Sequence, residues 1–210
     1  MKNKWIASIV AASLILAAAA AGLAGCGAET GANGGNSENG GQAVEMTALE
    51  TGMAIVKLLR DKDMDALAGY AHPEKGVRFS PYAYIDTAKD RVLSAAQLSE
   101  ALQDEEKYIW GAYDGSGEPI ELAFSDYYDE FIYSADFAEP QIIGNDTVIG
   151  AGNSINNIRE AYPDAVFVEF HFKGFDQQYE GMDWCSLRIV LEKSTDGWYL
   201  VGIVHDQWTI

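Results

Sequence analysis

AVFVEFHFKG (165–174), MDWCSLRIVLEK (182–193) and GWYLVGIVHDQWTI (197–210) close the chain, and their reading decides the fold. Apolar and polar residues alternate along the first two, the period of a half-buried strand. The turn Ser194-Thr195-Asp196-Gly197 joins the last two stretches and a longer loop around 174–182 joins the first two, so an antiparallel meander is expected. Pairing centred on those loops puts Val166, Val168, Phe170 and Phe172 beside Leu191, Ile189, Leu187 and Cys185, with Leu200, Gly202, Val204 and Asp206 completing the expected core face. The opposite face then carries Phe167, Glu169 and His171, Val190, Arg188 and Ser186, and Val201, Ile203 and His205. A slip of one residue in any strand reverses its assignments.

This register decides which chemistry is open. His205 and Asp206 are adjacent, so they point to opposite faces and form no dyad. His171, Ser186 and His205 make a polar row, flanked by a Glu169–Arg188 cross-strand pair. The row has the parts of an acid–base site. A solvent-facing or dimer-facing sheet surface carries the same residues. Asp206 stands with Cys185 at one end of the core face. There it is either a raised-pKa general base at the mouth of a cavity or a rim carboxylate in water.

Upstream, Met46, Leu49, Met53, Val56 and Leu59 recur every three or four residues and predict a helix over about 45–60. Asp63 is the expected N-cap of a second, shorter helix that ends before His72-Pro73. HPEKGVRFSPYAY (72–84) follows as a turn and an extended segment that is an edge strand or is broken at Pro81. Its Arg78 has the fork to clamp a carboxylate, and Tyr82 and Tyr84 lie on the same side if the strand stays regular. Ser94 and Gln97 have capping-box spacing. Residues 108–113 read as a strand, 114–117 as a turn, Ser125 as the cap of a helix through Tyr133, and 153–161 as a short helix closed by Pro163. The arrangement of residues 86–160 is not legible.

The chain begins with Lys2, Lys4 and an apolar run from Ile6 to Ala21, the form of a secretory signal, shorter than a lasting membrane span. Leu23-Ala24-Gly25-Cys26 resembles the lipobox of bacterial lipoproteins. That resemblance implies a signal peptide over 1–25, lipidation of Cys26 and anchorage to the outer face of the cytoplasmic membrane. Residues 26–43 are rich in Gly, Asn and Ser and make a flexible linker, with one domain expected over 44–210. A formal charge of −18 repels phosphate backbones, so no nucleic-acid partner is expected. With Cys26 acylated, Cys185 has no partner and no disulfide supports the fold. The segments at 61–72 and 114–119 fail as calcium loops, with Ala66 and Pro119 where glycine is required. His72, His171 and His205 lack zinc spacing, and no phosphate loop or serine elbow occurs. Neither a metal nor a cofactor is expected.

Two N-terminal helices, an extended piece and a meander ending WYLVGIVHDQW resemble the nuclear-transport-factor-like cone fold of the cystatin-like class. The stretches HPEKGVRFSPY, WGAYDGSGEPIE, YPDAVFVEFHF and GMDWCSLR resemble those of uncharacterised lipoproteins of Gram-positive bacteria, a likeness that brings no established activity. The expected class is α+β: N-terminal helices on a curved, mainly antiparallel sheet ending in a three-stranded C-terminal meander. Three functions stay open. One is a noncatalytic envelope module binding a small molecule or a protein. The second is a small-molecule enzyme using Asp206 or the His171–His205 row. The third is a glycan or wall binder using exposed rings among Trp110, Tyr113, Tyr127 and Tyr128.

Overall fold

The computed structural model describes residues 45–209. The expected signal peptide (1–25), Cys26 and the linker (26–43) lie outside the described residues. Helix α1 (Ala48–Asp61) starts at Thr47, whose hydroxyl accepts from the Glu50 amide while the Glu50 carboxylate accepts from the Thr47 amide, a reciprocal box that satisfies two end donors. Its buried stripe is Thr51, Gly52, Ile55, Val56 and Leu59. Met46 and Met53, expected on that stripe, are exposed, so the helix is rotated relative to the reading from its methionines. Each fully buried Ile or Leu in it contributes about 1.5–3 kcal/mol. Asp63 caps α2 (Met64–Ala68) through the Ala66 amide. That helix is shorter than expected and stops at Gly69.

Six strands form one mixed sheet in the order β2 (Val92–Leu93), β1 (Val77–Ser80), β8 (Gly197–Gln207), β7 (Cys185–Ser194), β6 (Val166–Phe172) and β5 (Ile142–Asn145). β6, β7 and β8 form the antiparallel meander, and β1 adds to β8 in parallel. A separate hairpin pairs β3 (Lys107–Ala112) with β4 (Pro119–Ala123). Ser94 opens α3 (Ala95–Glu100) with the expected box to Gln97. Ser125 does not cap: α4 (Phe124–Tyr127) begins one residue before it and runs into a π-helical turn over Tyr128–Ile132. The helix expected over 153–161 shrinks to α5 (Ile158–Ala161). Among the described residues no helix is long and apolar enough to cross a membrane.

The β6–β7 register is the expected one, with Glu169 opposite Arg188 and His171 opposite Ser186. The β7–β8 register is corrected by a β-bulge. Leu191 pairs with Leu200 but Val190 pairs with Gly202, which leaves Val201 over. Beyond the bulge every side chain of β8 changes face. Ile203 and His205 lie opposite Ile189 and Leu187 on the inner face; Val204 and Asp206 lie opposite Arg188 and Ser186 on the outer face. A Cβ on Gly202 would stand 2.5 Å from the Tyr162 hydroxyl, so the bulge is held where only glycine fits.

Both faces are covered. The inner face meets α1, the β3–β4 hairpin and the aromatic cluster of Phe79, Trp110, Phe124, Tyr127, Tyr128 and Phe131. Trp110 stacks on Tyr127 at 4.2 Å and its indole N–H donates to the Leu122 carbonyl. The Tyr128 hydroxyl donates to the carbonyl of Leu59, the last buried residue of α1. The outer face, expected to meet water or a second subunit, is instead a second core. Phe167, Val190, Val201 and Val204 pack there against Ile85, Ile158 and Ala165.

Candidate functional site

The polar row survives on the outer face with one exchange of members: Asp206 takes the place expected for His205. Arg188 is fully buried at its centre. Its Nε donates to Glu169 Oε2 at 3.0 Å, and its Nη2 lies 2.8 Å from Asp206 Oδ2 and 2.9 Å from the Gly150 carbonyl. Glu169, also fully buried, accepts further from the Ile149 and Gly150 amides at 3.0 and 2.7 Å and from the Ser186 hydroxyl at 2.7 Å. Residues 149 and 150 thus strap the row shut. The strap lies so close that a Cβ on Gly150 would stand 2.5 Å from Ser186 Oγ and 2.6 Å from the Trp184 ring. Burial lifts the Asp206 carboxyl to about 6 against the pull of Arg188.

Glu169, Arg188 and Asp206 are thus enclosed and pair with one another inside the protein, with Arg188 Nη1 the one nitrogen of the guanidinium left without a partner. Asp206 stands at neither a cavity mouth nor a wet rim, being 3 % exposed. His171 alone of the row reaches the surface. Ser186 gives its one proton to Glu169, so it accepts from His171 Nδ1–H at 2.8 Å. This fixes the neutral tautomer and leaves Nε2 for an open depression of about 210 Å³ lined by Ile149, Gly150, Ala151, Lys173 and Trp184. Burial depresses the His171 pKa. The depression offers this imidazole no nucleophile and only Lys173 as a charged neighbour.

His205, expected beside His171, is fully buried on the other face of the sheet. The Pro81 carbonyl only accepts, so His205 Nδ1–H donates to it at 3.2 Å and Nε2 accepts from Ser134 at 3.2 Å. Burial, opposed by the Pro81 bond, brings its pKa down to about 4. The unfolded chain then binds a proton below about pH 6.5 that the folded chain refuses until about 4. Stability held by this histidine is present above that window and is lost as pH falls through it. Asp90 and Asp206, both raised to about 6 by burial, act oppositely, stabilising at low pH and losing that contribution as pH rises through about 6. His205→Gln removes only the first effect. Between pH 7 and pH 5 the wild type is expected to lose about 2 kcal/mol relative to that variant. Urea midpoints of both at the two pH values check this, and parallel profiles would refute it.

The segment 72–84 divides. β1 stops at Ser80, so Arg78 and Tyr82 do not share a site. Arg78 donates through Nη1 to the Asp90 carbonyl and lines a cavity with Lys75, Tyr162 and Glu192. Tyr82 and Tyr84 turn the other way, into a cleft of about 440 Å³ between residues 81–90 and the β3–β4 hairpin. Its walls are Tyr82, Tyr84, Ile109 and Tyr113, with Asp86, Lys89, Asp90 and Asp114 among them and Ser154 opposite. Tyr82 and Tyr113 both pack on Phe131, at ring distances of 5.7 and 6.2 Å, which fixes their planes. Tyr84 is 54 % and Ile109 62 % exposed.

No family model, no curated protein and no solved structure matches the chain. The cleft's own chemistry is what speaks for it. Of the four rings expected for sugar stacking, Trp110, Tyr127 and Tyr128 are buried in the core, which removes them; only Tyr113 faces the cleft. Cys185 is buried among core residues and its thiol is pushed up to about 12, chiefly by burial, so it packs as a small hydrophobe. Among the described residues no three His, Cys, Asp or Glu side chains converge as a metal site. Sequence reasoning missed Ile109 and Asp90. Ile109 had a signal, since it alternates with the core-facing Trp110 on β3. Asp90 had none, lying in a stretch without periodicity.

Proposed function

We propose that this is a noncatalytic binding module, tethered to the outer face of the bacterial cytoplasmic membrane through an acylated Cys26, that takes a small ligand in the Tyr82–Tyr84–Tyr113 cleft. The observation that carries this reading is the contrast between two places. Glu169, Arg188, Asp206 and His205 are enclosed, and His171 meets only a shallow depression of about 210 Å³, whereas the cleft is open. Its volume lies in the range of small-molecule sites and its walls are mainly apolar with a few polar groups. The resemblance of Leu23-Ala24-Gly25-Cys26 to a lipobox supports the location.

The test uses the full-length chain. An alkynyl fatty acid fed to expressing cells is expected to label the wild type and not Cys26→Ala, which should leave the membrane fraction. Saturation-transfer NMR with a mixed set of neutral, anionic and cationic fragments is expected to give hits that disappear in Ile109→Trp. That substitution fills the cleft from an exposed position. Absence of hits, or hits that persist in Ile109→Trp, would overturn the cleft as the binding site; unchanged labelling in Cys26→Ala would overturn the anchor.

A further inference from the structure

The cleft has a sign. Its lining carries three carboxylates, Asp86, Asp90 and Asp114, and one ammonium, Lys89. Lys89 is already matched, its Nζ lying 3.3 Å from Asp86. Asp114 binds its charge only to the Gly115 amide next in the chain. Asp90 is 8 % exposed. Its Oδ2 accepts from Ser80 at 2.5 Å and from the Asp86 amide at 3.0 Å, while Arg78 approaches its backbone carbonyl from behind the cleft. The lining therefore keeps a net negative charge beside three tyrosine rings. A ring face attracts a cation placed within about 6 Å of its centroid, and more strongly where water is excluded. The chain as a whole carries −18, so its field draws cations inward and repels anions.

We infer that the cleft is selective for an organic cation: a small molecule whose alkylammonium or quaternary ammonium head sits against Tyr82, Tyr84 and Tyr113 with Asp90 and Asp114 as its counter-charges. This rests on the reading of the cleft as the binding site and adds the class of ligand. An inorganic cation gains little from the apolar walls. An anion is refused by the carboxylates. A neutral molecule gains the apolar contact and forgoes the charge.

Three probes of nearly one shape separate these cases: choline, its uncharged carbon analogue 3,3-dimethylbutanol, and 3,3-dimethylbutyrate. Each is titrated by calorimetry into the full-length chain in polyoxyethylene micelles, which carry no ammonium head. Choline is expected to bind at least tenfold more tightly than the alcohol, with no detectable binding of the carboxylate. Asp114→Asn and Tyr84→Leu change exposed positions and should keep the wild-type unfolding midpoint while weakening choline several-fold and the alcohol little. Equal binding of choline and the alcohol, lost together in Ile109→Trp, would overturn cation selectivity and leave the binding module standing. Failure of all three probes, with no hits in the fragment set, would overturn both.

Discussion

Arg188→Ala is expected to destabilise the domain by about 3–5 kcal/mol, the cost of leaving buried charges without their partner. The guanidinium is the only cation in the row, and it answers Glu169 and Asp206 at once. Without it Glu169 keeps the Ile149, Gly150 and Ser186 donors, so it stays partly satisfied. Asp206 keeps no side-chain partner and is 3 % exposed. Its pKa then climbs beyond about 6, where it stands with Arg188 present. A group raised in the folded state stabilises at low pH and costs stability as pH rises through its folded pKa. The deficit of Arg188→Ala should accordingly be larger at pH 8 than at pH 5. The double variant Arg188→Met, Asp206→Leu removes cation and orphaned anion together and is expected to recover at least half of the loss, as apolar replacements of buried ion pairs often do. Urea unfolding followed by tryptophan fluorescence measures all three. A loss below about 1 kcal/mol in Arg188→Ala would show the network to be dispensable, since native domains hold only about 5–15 kcal/mol in total.

Deletion of Val201 is expected to leave the domain folded with the β7–β8 register unchanged but less stable. Val201 is the residue left over between the Val190–Gly202 and Leu191–Leu200 pairs. Without it those pairs become consecutive, so Ile203 and His205 stay on the inner face while Val204 and Asp206 stay opposite Arg188 and Ser186. What goes is the buried Val201 side chain and the carbonyl that accepts from the Tyr162 hydroxyl. The spacing also goes by which β8 bonds Tyr70 and His72 through Leu200 while pairing with β1 through Gly202, Ile203 and Val204. The control is Val201→Ala, which keeps the extra residue and costs about 2 kcal/mol, the burial of two methyl groups and the space they leave. The deletion is expected to cost more than this control, read as a lower urea midpoint. Should the deletion variant unfold with the same midpoint as Val201→Ala, the bulge has no structural role.

Those two variants mark the boundary of what sequence reading reached. Capping by Asp63 and Ser94 was legible because each is a contact over three residues. So was the β6–β7 register, because Phe167-Val168-Glu169-Phe170-His171 opposite Ser186-Leu187-Arg188-Ile189-Val190 has one parity that keeps both polar pairs together. β8 offered no such constraint. Leu200, Val201, Gly202, Ile203 and Val204 are apolar at both parities, so alternation fits either face and gives no sign of an extra residue. The cover over the outer face was invisible for another reason. Residues 149–157 are glycine, asparagine and small side chains with two isoleucines and no period, and what they contribute to the row is backbone: two amides and one carbonyl aimed at Glu169 and Arg188.

By itself the sequence determined the class of fold, the meander, the caps at Asp63 and Ser94 and the Glu169–Arg188 pair, all of them set by spacing along one segment or between neighbouring strands. Only the tertiary structure decided that Asp206 joins that pair while His205 leaves it, and that Tyr82 and Tyr84 meet Tyr113 across a cleft. The physical reason is that a bulge and a cavity are settled by packing among segments distant in the chain: Tyr162 against Gly202, β1 against β8, Phe131 beneath two tyrosines. Local periodicity carries no information about such contacts.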